Sequence, residues 1–216
     1  MENVKYKTLK GFSVSMLALA MVACGGNDDD TPTPATNNNT NNTSAFVVKS
    51  TAFVDGAKVP TEYLCGDLGG MNRSLPLSWD KVPANTSKFA VIIDDEVSPC
   101  GTGDGACKHW NVFNIPSTIT TFTTGQKVTD ISGIVEGKIQ TGATTFVNAY
   151  NGMCPPAAAS GYPTKHTYKV TAYALKDTMP NLDAETSLTR SQFKATYGSH
   201  ILGEATISGT VDSTAP

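Results

Sequence analysis

The chain has 216 residues, 39% of them hydrophobic, with 16 lysines and arginines against 19 aspartates and glutamates. That is enough for one domain with a sizeable core, and a net charge of −3 argues against a nucleic-acid partner. No internal repeat is visible.

Residues 1–23 stand apart from any fold. Lys5, Lys7 and Lys10 precede a short apolar stretch from Phe12 to Ala20, and Met21, Val22 and Ala23 then lead into Cys24. This is the form of a secretory signal. A small residue directly before a cysteine is, further, the form of a bacterial lipoprotein cleavage site, at which Cys24 becomes the acylated first residue. The apolar stretch is well short of the roughly 20 residues that a bilayer crossing needs. Lys5, Lys7, Lys10 and Glu2 leave with it, so 13 basic and 18 acidic residues remain and the net charge becomes −5.

From Gly25 to Ser44 the chain reads "GGNDDDTPTPATNNNTNNTS", with no apolar periodicity and no large side chain to bury. Residues 24–44 are therefore expected to be a lipidated cysteine and a disordered tether, holding a domain of residues 45–216 clear of a membrane. Gly25 supplies no aspartate of the kind that retains lipoproteins at an inner membrane. The expected location is the bacterial cell envelope, at the outer membrane where the cell has two.

The domain reads as strands and turns. "SAFVVKSTAFVDG", "KFAVIID", "HWNVFNI", "HTYKVTAYAL" and "GEATISGTV" are rich in β-branched and aromatic residues and are bounded by Gly, Pro, Asn and Asp. A mainly-β antiparallel sandwich is expected. "KFAVIID" is apolar at nearly every position, so both of its faces should be covered. Asp94 stands at its end, and His109 opens the next strand after a cysteine-bounded glycine loop. If those strands are antiparallel neighbours, Asp94 and His109 lie close together. In "HTYKVTAYAL", period-two alternation puts His166, Tyr168, Val170 and Ala172 on one face. His166 opens its strand after the irregular segment "YNGMCPPAAASGYPTK", at a rim of the sheet. One helix is expected near the end, where Thr189 and Gln192 form a capping box ahead of "RSQFKATYGSH". His200 reads as a helix-end histidine, and Trp79 and Trp110 as packing residues, Trp110 close to the site.

The mature part holds Cys65, Cys100, Cys107 and Cys154 besides the lipidated cysteine. An even number in an exported chain favours disulfides over zinc, and there is no CxxC. Four cysteines allow three pairings. Cys100 with Cys107 across "GTGDGA" is the first expectation, leaving Cys65 and Cys154 paired or as free thiols.

The segments "STAFVDGAKVPTEYLC", "NRSLPLSW", "DDEVSP", "KHWNVFNIP", "YNGMCPP", "HTYKVTAYAL" and "HILGEATISGT" occur in the order found in the phosphatidylethanolamine-binding protein family. The chain resembles its bacterial Raf-kinase-inhibitor-like branch, YbhB/YbcL. The resemblance implies an antiparallel β-sandwich with a few peripheral helices and a small anion pocket at one end. It places the family's acidic motif, Asp-Pro-Asp with a proline downstream, on Asp94, Asp95 and Glu96. It further implies His109, Gly152, Pro155, His166 and Tyr168 as ligand-binding residues. Asp95 stands in place of the motif's proline, Glu96 in place of its second aspartate, and Met153 in place of a proline. Lys108 occupies a position where an aromatic residue is common, and it is expected to be a solvated loop lysine rather than a cation for the ligand.

On this reading neighbouring acids raise the pKa values of His109 and His166, making them cationic donors, while Tyr168 and backbone N–H groups near Gly152 add further donors. The expected partner is phosphate, phosphoethanolamine or a similar small anion, with the membrane reached through the lipid. A protein partner is the alternative, since the family includes modulators of kinases and proteases. No cofactor and no metal are expected. Catalysis is not expected either, because neither HExxH nor GxSxG occurs.

Overall fold

The computed structural model describes residues 45–142 and 144–214; the signal sequence, Cys24 and the tether lie outside them. Ten strands form among the described residues. They are β1 (Val47–Lys49), β2 (Leu77–Asp80), β3 (Lys88–Asp95), β4 (Cys107–Pro116), β5 (Thr121–Phe122), β6 (Val135–Glu136), β7 (Ile139–Gln140), β8 (Phe146–Val147), β9 (Lys165–Leu175) and β10 (Ile201–Asp212). One α-helix, α1 (Arg190–Tyr197), joins them. The mainly-β sandwich expected from the sequence is what forms.

A five-stranded antiparallel sheet runs in the order β10-β9-β3-β4-β6 and faces a three-stranded sheet β1-β2-β5, while β7 and β8 pair as a separate ribbon. The main core lies between the sheets. Val48, Leu77, Trp79 and Phe122 of the smaller sheet meet Phe89, Val91, Ile93, Val112, Val170 and Ala172 of the larger. The outer face of the larger sheet is covered by α1, whose Phe193 packs on Phe113 and Tyr173 at ring separations of 6.2 and 4.7 Å. Ala90, Ile92 and Leu175 complete this second cluster. Covering on both sides explains why β3 is apolar without alternation. Truncating Phe193 to alanine would open a cavity at a cost of about 3–5 kcal/mol.

α1 starts as the capping box requires: Gln192 N–H donates to the Thr189 hydroxyl and the Gln192 side chain accepts from Thr189 N–H. It stops at Tyr197, with Gly198, the glycine near the close of the expected segment, as its C-cap. Gly198–His200 form a single 3-10 turn that delivers the chain into β10, and His200 pairs with the Thr178 hydroxyl. The stretch "SAFVVKSTAFVDG" is strand for three residues only. Gly56 turns there at φ 79°, and the chain beyond lies against β10 through Val59 N–H to Thr210 O instead of continuing β1.

Two irregularities of β4 matter for the site. Its register against β3 passes from Trp110 opposite Ile93 to Lys108 opposite Asp94, so His109 is an extra residue in the ladder. A bulge of this kind turns a side chain out of strict alternation. A second extra residue near Asn114, whose φ is 57°, lets that side chain bond the backbone of Leu182.

Candidate functional site

Residues opposite each other on paired strands share a face. Asp95 lies opposite Tyr168, and Ile93 opposite Val170, so Asp95, Tyr168 and, two residues on, His166 point to the inner side of the large sheet. Asp94 lies opposite Lys169 and points to the α1 side. Strict alternation from Trp110 would send His109 to that side too. The bulge brings it inward instead, with its ring edge-on to Tyr168 at 4.9 Å.

Asp95, His109 and His166 line an open cavity of about 390 Å³ at the end of the sandwich. Both disulfides line it as well: Cys100–Cys107, as expected, and Cys65–Cys154, which joins the other two cysteines. Asp67 and Lys108 add charged residues to the wall, and Asn151 and Pro156 complete one side.

The acid and the histidine beneath the cavity form a closed unit. His166 Nδ1 meets Asp95 Oδ2 at 2.5 Å, with side chains 1% and 2% exposed. His166 Nε2 lies 3.1 Å from the Pro163 carbonyl, which can only accept, so Nε2 carries a hydrogen. The remaining proton sits between Nδ1 and the carboxylate. Whichever atom holds it, the pair has no net charge. Asp95 Oδ1 accepts from Val97 N–H, and the Tyr168 hydroxyl also bonds the Asp95 carboxylate.

His109 is tied to Asn151 twice, its Nδ1 at 3.1 Å from the Asn151 carbonyl and its own carbonyl accepting from Asn151 N–H. Burial pushes its ring below the ordinary histidine value; the carbonyls of Asn151 and Gly152 and the carboxylates of Asp95 and Asp94 pull upward and do not prevail. This corrects the expectation that neighbouring acids would raise His109.

The other sequence-derived residues stand elsewhere. Asp94 is buried and accepts from the Arg190 N–H and Nε, clamping the start of α1 to β3. Burial pushes its carboxyl up, with these hydrogen bonds offsetting part of the rise. Glu96 bonds Lys169, Gly103 N–H and Arg190, and the Lys169 ammonium foremost holds its carboxyl low. Neither acid lines the cavity.

Tyr168 is fully buried, and burial pushes its phenol well above the ordinary value. Its oxygen accepts from Cys154 N–H, so it supports the floor rather than facing the cavity. Gly152 is held by close approach: a side chain there would come within 2.6 Å of the Leu64 and Cys65 backbone. Its N–H is spent on Asn72 Oδ1. Pro155 lines a neighbouring cavity, and Pro156 takes the place beside the histidines. Trp110 is buried core, its indole N–H donating to Glu136.

Lys108 differs from its expectation as a loop lysine. It belongs to β4, is partly buried, and among the described residues its ammonium makes no hydrogen bond or ion pair. Burial pushes its ammonium below the ordinary lysine value, and the Asp94 carboxylate offsets part of this.

Among the described residues, one group of metal-ligand type falls within reach of a single ion: Cys65, Asp67 and Cys154. The two sulfurs are bonded to each other, which leaves no thiolate to offer.

Comparison with known proteins gives a consistent answer. The family model described as phosphatidylethanolamine-binding protein matches residues 49–212. A UPF0098 protein of Methanothermobacter thermautotrophicus is 33% identical over 162 residues, covering 75% of this chain and 95% of its own. The UPF0098 protein YbcL of Escherichia coli is 32% identical over 147 residues, covering 67% and 76%. Among solved structures, E. coli YbcL, described as a member of the mammalian PEBP family, superposes with a TM-score of 0.62 at 25% identity, over 78% of this chain and 99% of that one. A phosphatidylethanolamine-binding protein homologue from Chlamydia trachomatis, CT736, gives 0.61 at 28% identity, over 78% and 97%. By sequence, fold and the extent of both matches, the chain belongs to the phosphatidylethanolamine-binding protein family.

Proposed function

We propose that the cavity binds a small anionic head group, phosphoryl or carboxylate, of the phosphoethanolamine type, and that lipid at Cys24 holds the domain at a bacterial membrane. The observation that carries the pocket reading is the buried, charge-neutral Asp95–His166 pair beside His109 at the floor of an open cavity. Burying polar groups is costly unless each finds a partner, and an arrangement that satisfies them at an open cavity is the usual form of a recognition site. With Asp95 neutralised by His166, its carboxylate does not oppose an anion. Lys108 at the wall and a proton taken up by His109 both favour one.

The pocket serves binding rather than hydrolysis on this reading. A general base needs a free nitrogen within reach of its nucleophile. Both nitrogens of His166 are occupied, by Asp95 and Pro163, and Nδ1 of His109 by Asn151, so Nε2 of His109 is left as the candidate base, and among the described residues no serine or free thiol lines the cavity to serve as its nucleophile. The family name describes proteins that bind a phospholipid. Here the cavity wall of disulfides, acids, histidines and a lysine suits the head group of such a molecule rather than its acyl chains.

Isothermal calorimetry with sulfate and phosphoethanolamine tests the pocket. Saturable binding weakened in His109→Ala is the expected result; equal binding in wild type and variant would place the site elsewhere. The tether is supported by the lysine-rich start, short apolar run and Ala23-Cys24 junction. Labelled palmitate should enter the full chain and not Cys24→Ala, and unlabelled, freely soluble wild-type protein would sink the anchoring reading. Among the described residues no helix is long and apolar enough to cross a membrane.

A further inference from the structure

A separate cavity of about 330 Å³ shares no wall residue with the head-group cavity, although the two meet at one segment: Tyr150 lines this one and Asn151 the other. Asn72 fixes that segment, its Nδ2 donating to the Tyr150 carbonyl and its Oδ1 accepting from Gly152 N–H. The volume is at the low end of the range for small-molecule pockets, about 300–1,000 Å³, so it suits a small ligand.

An acid belongs to this wall. Glu136 stands opposite Val112 on β4, so it takes the inner face of the large sheet, which Trp110 also takes. One carboxylate oxygen, Oε1, accepts the Trp110 indole N–H at 2.6 Å. The other, Oε2, makes no hydrogen bond or ion pair among the described residues, and it is not enclosed, the Trp79 indole nitrogen being the enclosed atom that lacks a partner there. Oε2 is thus left accessible, on a residue that lines the cavity. Burial pushes this carboxyl above its ordinary range, while the Trp110 hydrogen bond and the Lys127 ammonium offset part of the rise. A half-buried carboxylate with one unspent oxygen favours an ammonium donor.

Two cations stand at the same wall. Arg73 pairs with Glu62 and Lys127 with Asp130, at 3.3 and 3.6 Å, and all four side chains are exposed. Exposed pairs of this kind are weak, so either cation can turn to a ligand. A purely anionic ligand would bring its charge against Glu136, and a purely cationic one against Arg73 and Lys127; like charges facing each other oppose binding. A small molecule that carries both charges meets neither penalty. Hydroxyls and an amide of Ser74, Thr124 and Gln126 border the same space and suit a small polar side chain. We infer that this cavity binds a free α-amino acid with such a side chain, its ammonium donating to Glu136 Oε2 and its carboxylate held by Arg73 and Lys127. The site is independent of the head-group cavity and of whatever that cavity takes.

The test uses the full-length chain with its disulfides intact and three probes of nearly equal shape: L-serine, L-serinamide, which lacks the carboxylate, and L-glycerate, in which a hydroxyl replaces the ammonium. The chain has two tryptophans, so each probe is titrated against two indole N–H signals in the nitrogen–proton NMR spectrum. Serine is expected to move the Trp110 signal saturably and to leave that of Trp79 nearly in place, and the two analogues to bind about tenfold more weakly. Glu136→Gln keeps an acceptor for the indole and removes the charge, and should weaken serine about tenfold. Arg73→Gln should weaken it about threefold. The ligand-free spectra of both variants show whether they are folded. Glycerate or serinamide binding as tightly as serine overturns the amino-acid reading in favour of a plain anion or cation site. So does the absence of a saturable shift with serine, or serine binding that Glu136→Gln leaves unchanged. His109→Gln should leave serine binding as in the wild type; a loss there would put serine in the head-group cavity and overturn the second site.

Discussion

Asp95 Oδ2 and His166 Nδ1 meet at 2.5 Å across β3 and β9, with almost no side-chain exposure on either residue. Removing one partner of such a buried pair strands the other, at a cost of about 3–5 kcal/mol, whereas removing both leaves no orphan. Asp95→Ala and His166→Ala should therefore each destabilise by about that amount, and the double variant by clearly less than their sum. Urea unfolding at neutral pH under oxidising conditions measures all three. Strict additivity would show that the two side chains are not coupled.

The neighbouring acid should behave differently. Asp94 is held by the Arg190 backbone N–H and guanidinium on the α1 side and does not reach the cavity. Arg190→Ala leaves the Asp94 carboxylate without its charge partner and should cost about 3–5 kcal/mol. For a domain of this size each kcal/mol lowers Tm by about 2–4 °C. Asp94→Asn should likewise alter stability while leaving sulfate affinity at the wild-type level. A calorimetric loss of sulfate binding in Asp94→Asn would return Asp94 to the ligand set that the sequence implies.

How far the sequence carries this site follows from two residues. Period-two alternation in "HTYKVTAYAL" correctly places His166 and Tyr168 on one face. The same counting along "KFAVIIDD" puts Asp95 on the face of Phe89, Val91 and Ile93, and Asp94 on the other. A signal for the inward acid was thus present, and the family's motif pointed to its neighbours Asp94 and Glu96 instead. His109 is the reverse case. Alternation from Trp110 sends it outward, and only the bulge in β4 brings it in. A bulge depends on pairing between strands, which no local pattern displays. The burial that lowers His109 and half-covers Lys108 is equally a tertiary property, supplied by segments distant in sequence.

The two disulfides should contribute unequally. Closing a longer loop removes more freedom from the unfolded chain: about 4–5 kcal/mol for the separation of 89 between Cys65 and Cys154, and about 2–3 kcal/mol for the separation of 7 between Cys100 and Cys107. Mass spectrometry of unreduced peptides should recover both pairs. Unfolding of the paired Cys65→Ser, Cys154→Ser variant should then show the larger loss. Equal losses, or a Cys65–Cys100 peptide, would contradict this arrangement.

The pH dependence follows from His109, which is faced by Asp95, Asp94, Lys108, His166, Tyr168 and the carbonyls of Asn151 and Gly152. Burial sets its folded pKa below the unfolded value of about 6.5. As pH falls through 6.5 the unfolded chain takes up this proton first, so unfolding binds a proton and stability falls with pH. The stability due to His109 is thus present above pH 6.5 and is lost as pH falls toward the folded pKa. A bound anion reverses the preference, because it favours the protonated ring. Sulfate keeps its charge over this interval, so its affinity should rise as pH falls, with the midpoint below 6.5 rather than at it. His109→Gln should flatten both profiles, and His200→Ala, at a turn beside Thr178, should alter neither. Denaturation and sulfate calorimetry at half-unit steps from pH 7.5 to 5 measure the two slopes. A sulfate profile centred at or above 6.5 would mean that the titrating ring is not the buried one.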